Sequence, residues 1–456
     1  MKTKLFLLTV VLSVFFWSCS SIITKTEFYR PIINDLQNGN YLAASKKLQA
    51  AELDGDYADK DGVLLYLDKG IINHYAERYK ESNAAFEKAE YLIDSFYTKS
   101  ISKGAASLLL NDNALAYSGE VYENLYVNIF KALNYIHLNK FDDAYVEVHR
   151  ISDKLKELNT YYKEDVAKLN NSKDNKLKIN PKDLGFYNDA FADYISHLIY
   201  RASGEEDNSR ISLEQAKQAW EHHADVYNYP MPRAIDSTTN VNSTMLNVIA
   251  FTGKAPGKIP IGARITTFDG YFTISDPSLY HIQPIPFPGL KNGWNFKFEF
   301  PAMKEEGTSI SQIKVYIDSI YAGNLQLLEN IANVATKTFE SQKSITFFKT
   351  ALRAVAKGIS AGQLGKTIKK NTNSGGLGDV LAFVLNAAVD ATEHADLRTW
   401  RTIPGYSFVG EFPISEGKHT IEILFLDNRG NVLQKDKLSN YLINEKLNVL
   451  ESFYLD

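Results

Sequence analysis

The sequence is poor in cysteine and in long apolar runs, and neither sign of charge dominates it. Among 456 residues a single cysteine, Cys19, excludes an internal disulfide and every cysteine-rich zinc site. No apolar run in the body of the chain reaches the ~18–20 residues of a membrane-spanning helix. With 54 acidic against 50 basic side chains the formal charge is only −4. Neither a nucleic-acid partner nor a cofactor is expected. What is present is 45% hydrophobic content with 27 tyrosines and 25 phenylalanines. That content supplies real cores and excludes a disordered or collagen-like chain, and the length suggests two or three domains.

The N-terminus reads as an export signal. Lys2 and Lys4 form a charged start, and Leu5–Trp17 is apolar apart from Thr9 and Ser13, too short to span a bilayer as a permanent helix. Cys19 follows almost directly, behind Phe16-Trp17-Ser18. This arrangement resembles the lipobox of bacterial lipoprotein signals, with Phe16 where Leu is usual. The resemblance implies a signal peptide over residues 1–18, lipidation at Cys19, a tether over 19–27, and an envelope location, on the outer membrane facing the periplasm. Loss of residues 1–18 removes Lys2 and Lys4 and moves the formal charge from −4 to −6.

Residues 28–224 carry a helical pattern with a weak repeat. Tyr41, Tyr79 and Phe141 each open a second helix, with Ala44, Ser82 and Ala144 three residues on. Leu48/Ala51, Phe86/Ala89 and Val148/Ile151 follow at helical spacing, and Gly70 and Ala132 are the small packing positions of the preceding helices. A fourth hairpin is expected around Gly204. The pattern resembles tetratricopeptide repeats, which implies a superhelix of stacked hairpins. The segment 225–243, with Pro230 and Pro232, is expected to be a linker.

From residue 244 onward the helical period gives way to alternation, which predicts strands at Met245–Phe251, Ala263–Thr267, Trp294–Phe300, Gln312–Ile317, Ser407–Phe412, His419–Phe425, Val432–Lys435 and Tyr441–Leu447. A helical insert over 325–395 is expected between them. The reading is therefore α+β: a tetratricopeptide-like superhelix followed, over 244–456, by a β-sandwich-like domain with a helical insert. Within the insert, Lys343, Lys349, Arg353, Lys357, Lys366, Lys369 and Lys370 occur with no acidic residue between 341 and 378. Such an island suggests contact with an anionic surface, although a solvated helix face accounts for it more simply.

Catalytic arrangements are scarce. None of the nine histidines has zinc-protease spacing. His222-His223 project about 100° apart on a helix, which favours a surface reading over joint ligation. Glu120 and Glu123 lack a pattern that would assign them to acid/base work.

Several stretches together resemble an uncharacterised family of bacterial envelope lipoproteins with N-terminal tetratricopeptide-like repeats. They include Asn111-Asp112, Tyr117, Gly119-Glu120, Glu123, Lys258, Arg353-Ala354, Asp396, Arg398, Trp400-Arg401 and Glu416-Gly417-Lys418-His419-Thr420. The resemblance implies architecture and an envelope role and carries no catalytic assignment; with catalytic arrangements scarce, an enzyme is not expected. Lys258, Arg398, Trp400 and Arg401 form the motif cluster to probe first. The expected function is a membrane-anchored scaffold for an envelope protein partner, and the alternative is an outer-membrane glycan-binding lipoprotein.

Overall fold

The structure, a computed structural model, describes residues 27–102, 113, 115–171, 189–236, 244–275, 284–286, 292–293, 295–340, 395–445 and 447–456. The signal segment, Cys19 and the seven basic residues between Lys343 and Lys370 lie outside them.

The protein is α+β, with its helices first and its sheets after. Among the described residues, eight helices precede the sheets and build the hairpins: α1 (Tyr29–Gln37), α2 (Tyr41–Leu53), α3 (Gly62–Tyr75), α4 (Tyr79–Ser102), α5 (Val121–His137), α6 (Phe141–Asn171), α7 (Ala190–Ala202) and α8 (Glu206–His222). They pack pairwise as α1/α2, α3/α4, α5/α6 and α7/α8, and each pair also contacts the next.

One turn closes all four pairs. Gly39, Glu77, Asn139 and Gly204 each adopt a left-handed conformation two residues before the second helix. The amide that follows each of them returns to a carbonyl five residues back, as Asn40 to Asp35 (2.8 Å), Arg78 to Asn73 (2.8 Å), Lys140 to Tyr135 (2.8 Å) and Glu205 to Tyr200 (2.9 Å). This satisfies the last carbonyls of the first helix in the Schellman manner. The expected starts at Tyr41, Tyr79 and Phe141 are therefore observed, and so is the fourth hairpin at Gly204. Gly70 explains itself sterically: a Cβ there would lie 2.3 Å from the Phe86 ring.

Among the described residues, twelve strands build three four-stranded sheets. The first runs in the order β12 (Asn448–Tyr454), β1 (Met245–Thr252), β9 (Tyr406–Pro413), β8 (Gln326–Asn330), and the β1/β12 pair is parallel. The second runs β11 (Val432–Ile443), β10 (Gly417–Leu426), β6 (Gln312–Ile317), β7 (Ile320–Asn324). In the third the order is β4 (Ile285–Pro286), β3 (Tyr271–Ser275), β2 (Gly257–Phe268), β5 (Asn295–Lys304). Leu246, Val248 and Ala250 from one face of the first sheet meet Val315, Ile421 and Ile423 of the second in a shared apolar cluster.

The opposite face of the first sheet packs on the helices. Ile249, Phe251, Val409 and Val449 belong to the same core as Phe86, Phe130, Leu133 and Phe191. Alternate side chains on β1 thus feed two different cores, which is why seven of its eight residues are buried. The described part of the expected linker is packed as well. Val226, Tyr227, Ala234 and Ile235 are buried, and one helical turn forms at Arg233–Asp236.

Two further expectations need correcting. The insert expected from residue 325 begins with strand β8, followed by helical residues 331–340; 341–394 lie outside the described residues. Val432–Lys435 and Tyr441–Leu447 are not separate strands: the first extends to Ile443 and a new strand starts at Asn448.

Candidate functional site

Helices and first sheet meet along a seam; Arg398, Trp400 and Arg401 lie in the segment that precedes β9 there, and Lys258 reaches it from β2 of the third sheet. At the start of α5, Glu123 closes a capping box by accepting from the Glu120 amide (2.9 Å). The same fully buried carboxylate accepts from Tyr117 Oη (2.7 Å) and from the Trp400 amide (2.6 Å). It thereby ties the helical hairpins to the segment that leads into β9. Burial, reinforced by the negative charge of Glu120, raises its pKa.

Tyr117 forms the centre of the motif cluster. The Arg398 guanidinium lies 5.2 Å and the Lys258 ammonium 5.9 Å from its ring centroid. Arg398 also bonds Asp396 (2.6 Å), Asp61 (2.7 Å) and the Leu115 carbonyl (2.9 Å). Lys258 pairs with Glu120. Burial opposes the Lys258 charge, but Glu120 and Asp396 outweigh it and raise its pKa. Trp400 is wholly buried, and its indole N–H donates to Thr402 Oγ1 (3.1 Å). Lys258, Arg398 and Trp400 are therefore brought together. Arg401 is not with them: it stands 5.5 Å from the Tyr29 ring, beside the buried Asp68 that accepts from Tyr29, Tyr57 and Thr402.

A second tie escaped sequence reading. Glu451 on β12 takes His74 Nε2 (2.7 Å) on one oxygen and His137 Nε2 (2.9 Å) on the other. Burial resists its ionisation, yet the two imidazoles pull it down to about 2. His137 stacks on Tyr79 at 4.5 Å, and His74 Nδ1 bonds Asn134 Oδ1 (2.7 Å). The three residues come from α3, α5 and the last strand, so no local spacing reveals them. The surface reading of His222-His223 holds for half the pair: His222 is exposed, whereas His223 is buried at the end of α8.

Away from the seam, α4, α5 and α6 line a cleft of about 720 Å³. Its floor is an ion-pair lattice. Lys131, only 1% exposed, bonds Glu90 (2.9 Å) and Glu147 (3.0 Å), and Lys154 bonds Glu90 (2.7 Å) and Asn128 Oδ1 (2.6 Å). Burial resists ionisation of Glu90, but Lys154 and Lys131 hold it near 2; burial lowers the pKa of Lys154. Tyr91 and Val146, 71% and 47% exposed, stand on the walls with Glu87, Asp143 and Glu157. A second groove of about 380 Å³ between α2, α3 and α4 repeats the motif in miniature, with Lys69 bonded to Glu52 (2.8 Å). Glu52 and Glu90 each follow their helix-opening tyrosine by eleven residues, and Lys69 and Lys131 each precede the small residue of the partner helix. Those recurring positions, relative to the opening tyrosine and to the small residue, are the sequence signal that marks the two grooves.

No protein-family model, curated protein or solved structure matches this chain.

Proposed function

We propose that this chain is a bacterial envelope lipoprotein, held to the membrane by lipid on Cys19, that acts as a non-enzymatic scaffold binding a protein partner through its helical repeats. In this reading the four hairpins form a tetratricopeptide-like superhelix, and the first two sheets form a sandwich-like support for it. The observation that carries the reading is the open cleft over α4–α6, where exposed Tyr91 and Val146 stand beside charged side chains on a floor locked by ion pairs. A rigid floor with a mixed apolar and charged rim suits an extended peptide, whose side chains supply both kinds of contact. The seam clusters, by contrast, have their charges engaged in holding helices to sheet.

The test is capture from detergent-solubilised native membranes with the wild-type chain and with Tyr91→Ala/Val146→Asp. Partners recovered by the wild type and lost by the variant support the reading. No reproducible partner, or equal recovery by both, defeats it. Selective binding on a glycan array that depends on Tyr91 would instead favour the glycan-binding alternative.

A further inference from the structure

The helix-facing side of the first sheet carries one more polar cluster, separate from both ties. Glu329 on β8 and Ser407 on β9 are register partners, so their side chains stand next to each other on one face. The start of α7 covers them. Its Phe191 amide donates to Glu329 Oε2 (3.3 Å) and also reaches the carboxylate of Asp189, the helix cap. Tyr227 Oη donates to the same Glu329 oxygen (3.1 Å), and the charges of Glu329 and Asp189 both act on the Tyr126 hydroxyl. All four are buried, with Glu329, Tyr126 and Ser407 at 0% and Asp189 at 2% exposure. Each leaves one oxygen without a hydrogen bond: Glu329 Oε1, Asp189 Oδ2, Tyr126 Oη and Ser407 Oγ. Among the described residues, no basic side chain acts on either acid.

We propose that this cluster is a buried binding site for one hard divalent cation, best matched by Ca²⁺, with the carboxylates of Glu329 and Asp189 and the hydroxyls of Tyr126 and Ser407 as its protein ligands. Two buried carboxylates without a basic partner are strongly disfavoured, and a helix N-terminus offers only about half a positive charge. A proton on either acid would neutralise it but leave the two hydroxyls unsatisfied. A cation contacts all four oxygens at once. Ligands ~2.4 Å from a calcium ion and a right angle apart lie ~3.4 Å from each other, at the limit of hydrogen bonding. An all-oxygen donor set selects calcium or magnesium over thiolate- and imidazole-seeking metals. With only two carboxylates the cluster differs from sites built on three or more Asp, Glu, His or Cys side chains, of which the described residues hold none.

The experiment uses the full chain in detergent, stripped with chelator and then titrated with CaCl₂ by calorimetry and thermal unfolding. One equivalent should bind and raise the melting temperature. Glu329→Gln, which keeps the shape and removes the charge, should weaken binding at least tenfold. Ser407→Ala, a smaller change, should weaken it several-fold and serves as the readout if Glu329→Gln fails to fold. Absence of heat and of any melting shift with millimolar Ca²⁺ or Mg²⁺ overturns the proposal. An unchanged calcium response in folded variants does so too, as does a gain in neutral-pH stability in Glu329→Gln without metal, which would mean that the acids carry protons instead.

Discussion

Replacing Glu451 with Gln should cost the protein about 3 kcal/mol near neutral pH and almost nothing near pH 2. The magnitude follows from the clamp formed by Glu451, His74 and His137. Burial opposes the Glu451 charge and the imidazoles overcome it, so the folded carboxyl titrates at about 2 against an ordinary 4.5. At about 1.4 kcal/mol per pH unit, that difference is worth about 3 kcal/mol. A carboxylate with a depressed folded pKa contributes stability above its unfolded value and loses it as pH falls through the folded one. His137 has the opposite sign. Burial works against its charge, Glu451 prevails and raises its pKa above 6.5, so its contribution is complete below 6.5 and fades as pH rises through the folded value. The clamp is therefore strongest between about pH 4.5 and pH 6.5, the ordinary values of its acid and its base. Urea unfolding of wild type and Glu451→Gln at pH 7, 5.5, 4 and 2.5 gives the difference curve. Glu90 adds an acid limb of its own to both proteins, so the difference and not the wild-type curve is the readout. A pH-independent difference would refute the reasoning.

Gly70→Ala should destabilise by about 2 kcal/mol, because the new methyl meets the Phe86 ring, and Phe86→Leu in the same chain should restore part of the loss in thermal unfolding. Lys258→Met should cost about 3 kcal/mol by leaving Glu120 beside the seam without its partner, and the double variant with Glu120→Gln should recover much of it in denaturant unfolding. Cys19→Ala should move the protein from the membrane pellet to the soluble fraction. Retention in the pellet would instead point to the basic residues 343–370 as the anchor.

The helical pattern was legible because each hairpin writes its signals locally. An aromatic opens the second helix, small residues allow close approach, and the turn needs one left-handed residue, supplied by Gly39, Gly204 and Asn139 in forms that sequence reading recognises. Glu77 fills the same role with no such signal, and the second helix of that hairpin is still legible from Tyr79, Ser82 and Phe86. Strand ends were less legible. β12 brings Val449 to one core and Leu450 to another, so the alternation of buried and exposed residues that marks a one-sided strand is missing. Of the four residues of the motif cluster, Lys258, Arg398 and Trp400 lie together and Arg401 lies apart, and their partners could not be read from spacing. Glu120, Tyr117 and Asp61 reach Lys258 and Arg398 across more than a hundred residues of chain, and only the packed structure shows that those charges are already satisfied.

The seam also alters what the lone acids and histidines of the sequence mean. A search for chemistry finds Glu120, Glu123, His74 and His137 without partners, yet each is bound across the boundary between helices and sheet. Polar groups buried there are oriented by several bonds apiece, so they fix the register of helices against strands more firmly than an apolar contact would. The helical hairpins are consequently backed by the sheet along α3, α5 and α7, and α5 also lines the charged cleft. On the proposed function, a cleft mounted on such a backing would present its floor already formed, and a partner entering it would lose little in ordering it. If the hairpins were instead free to flex, variants of the seam would alter partner affinity along with stability; on the rigid reading, Glu451→Gln lowers stability while affinity at a temperature where both proteins are folded stays within about twofold, because the cleft floor is locked by its own ion pairs.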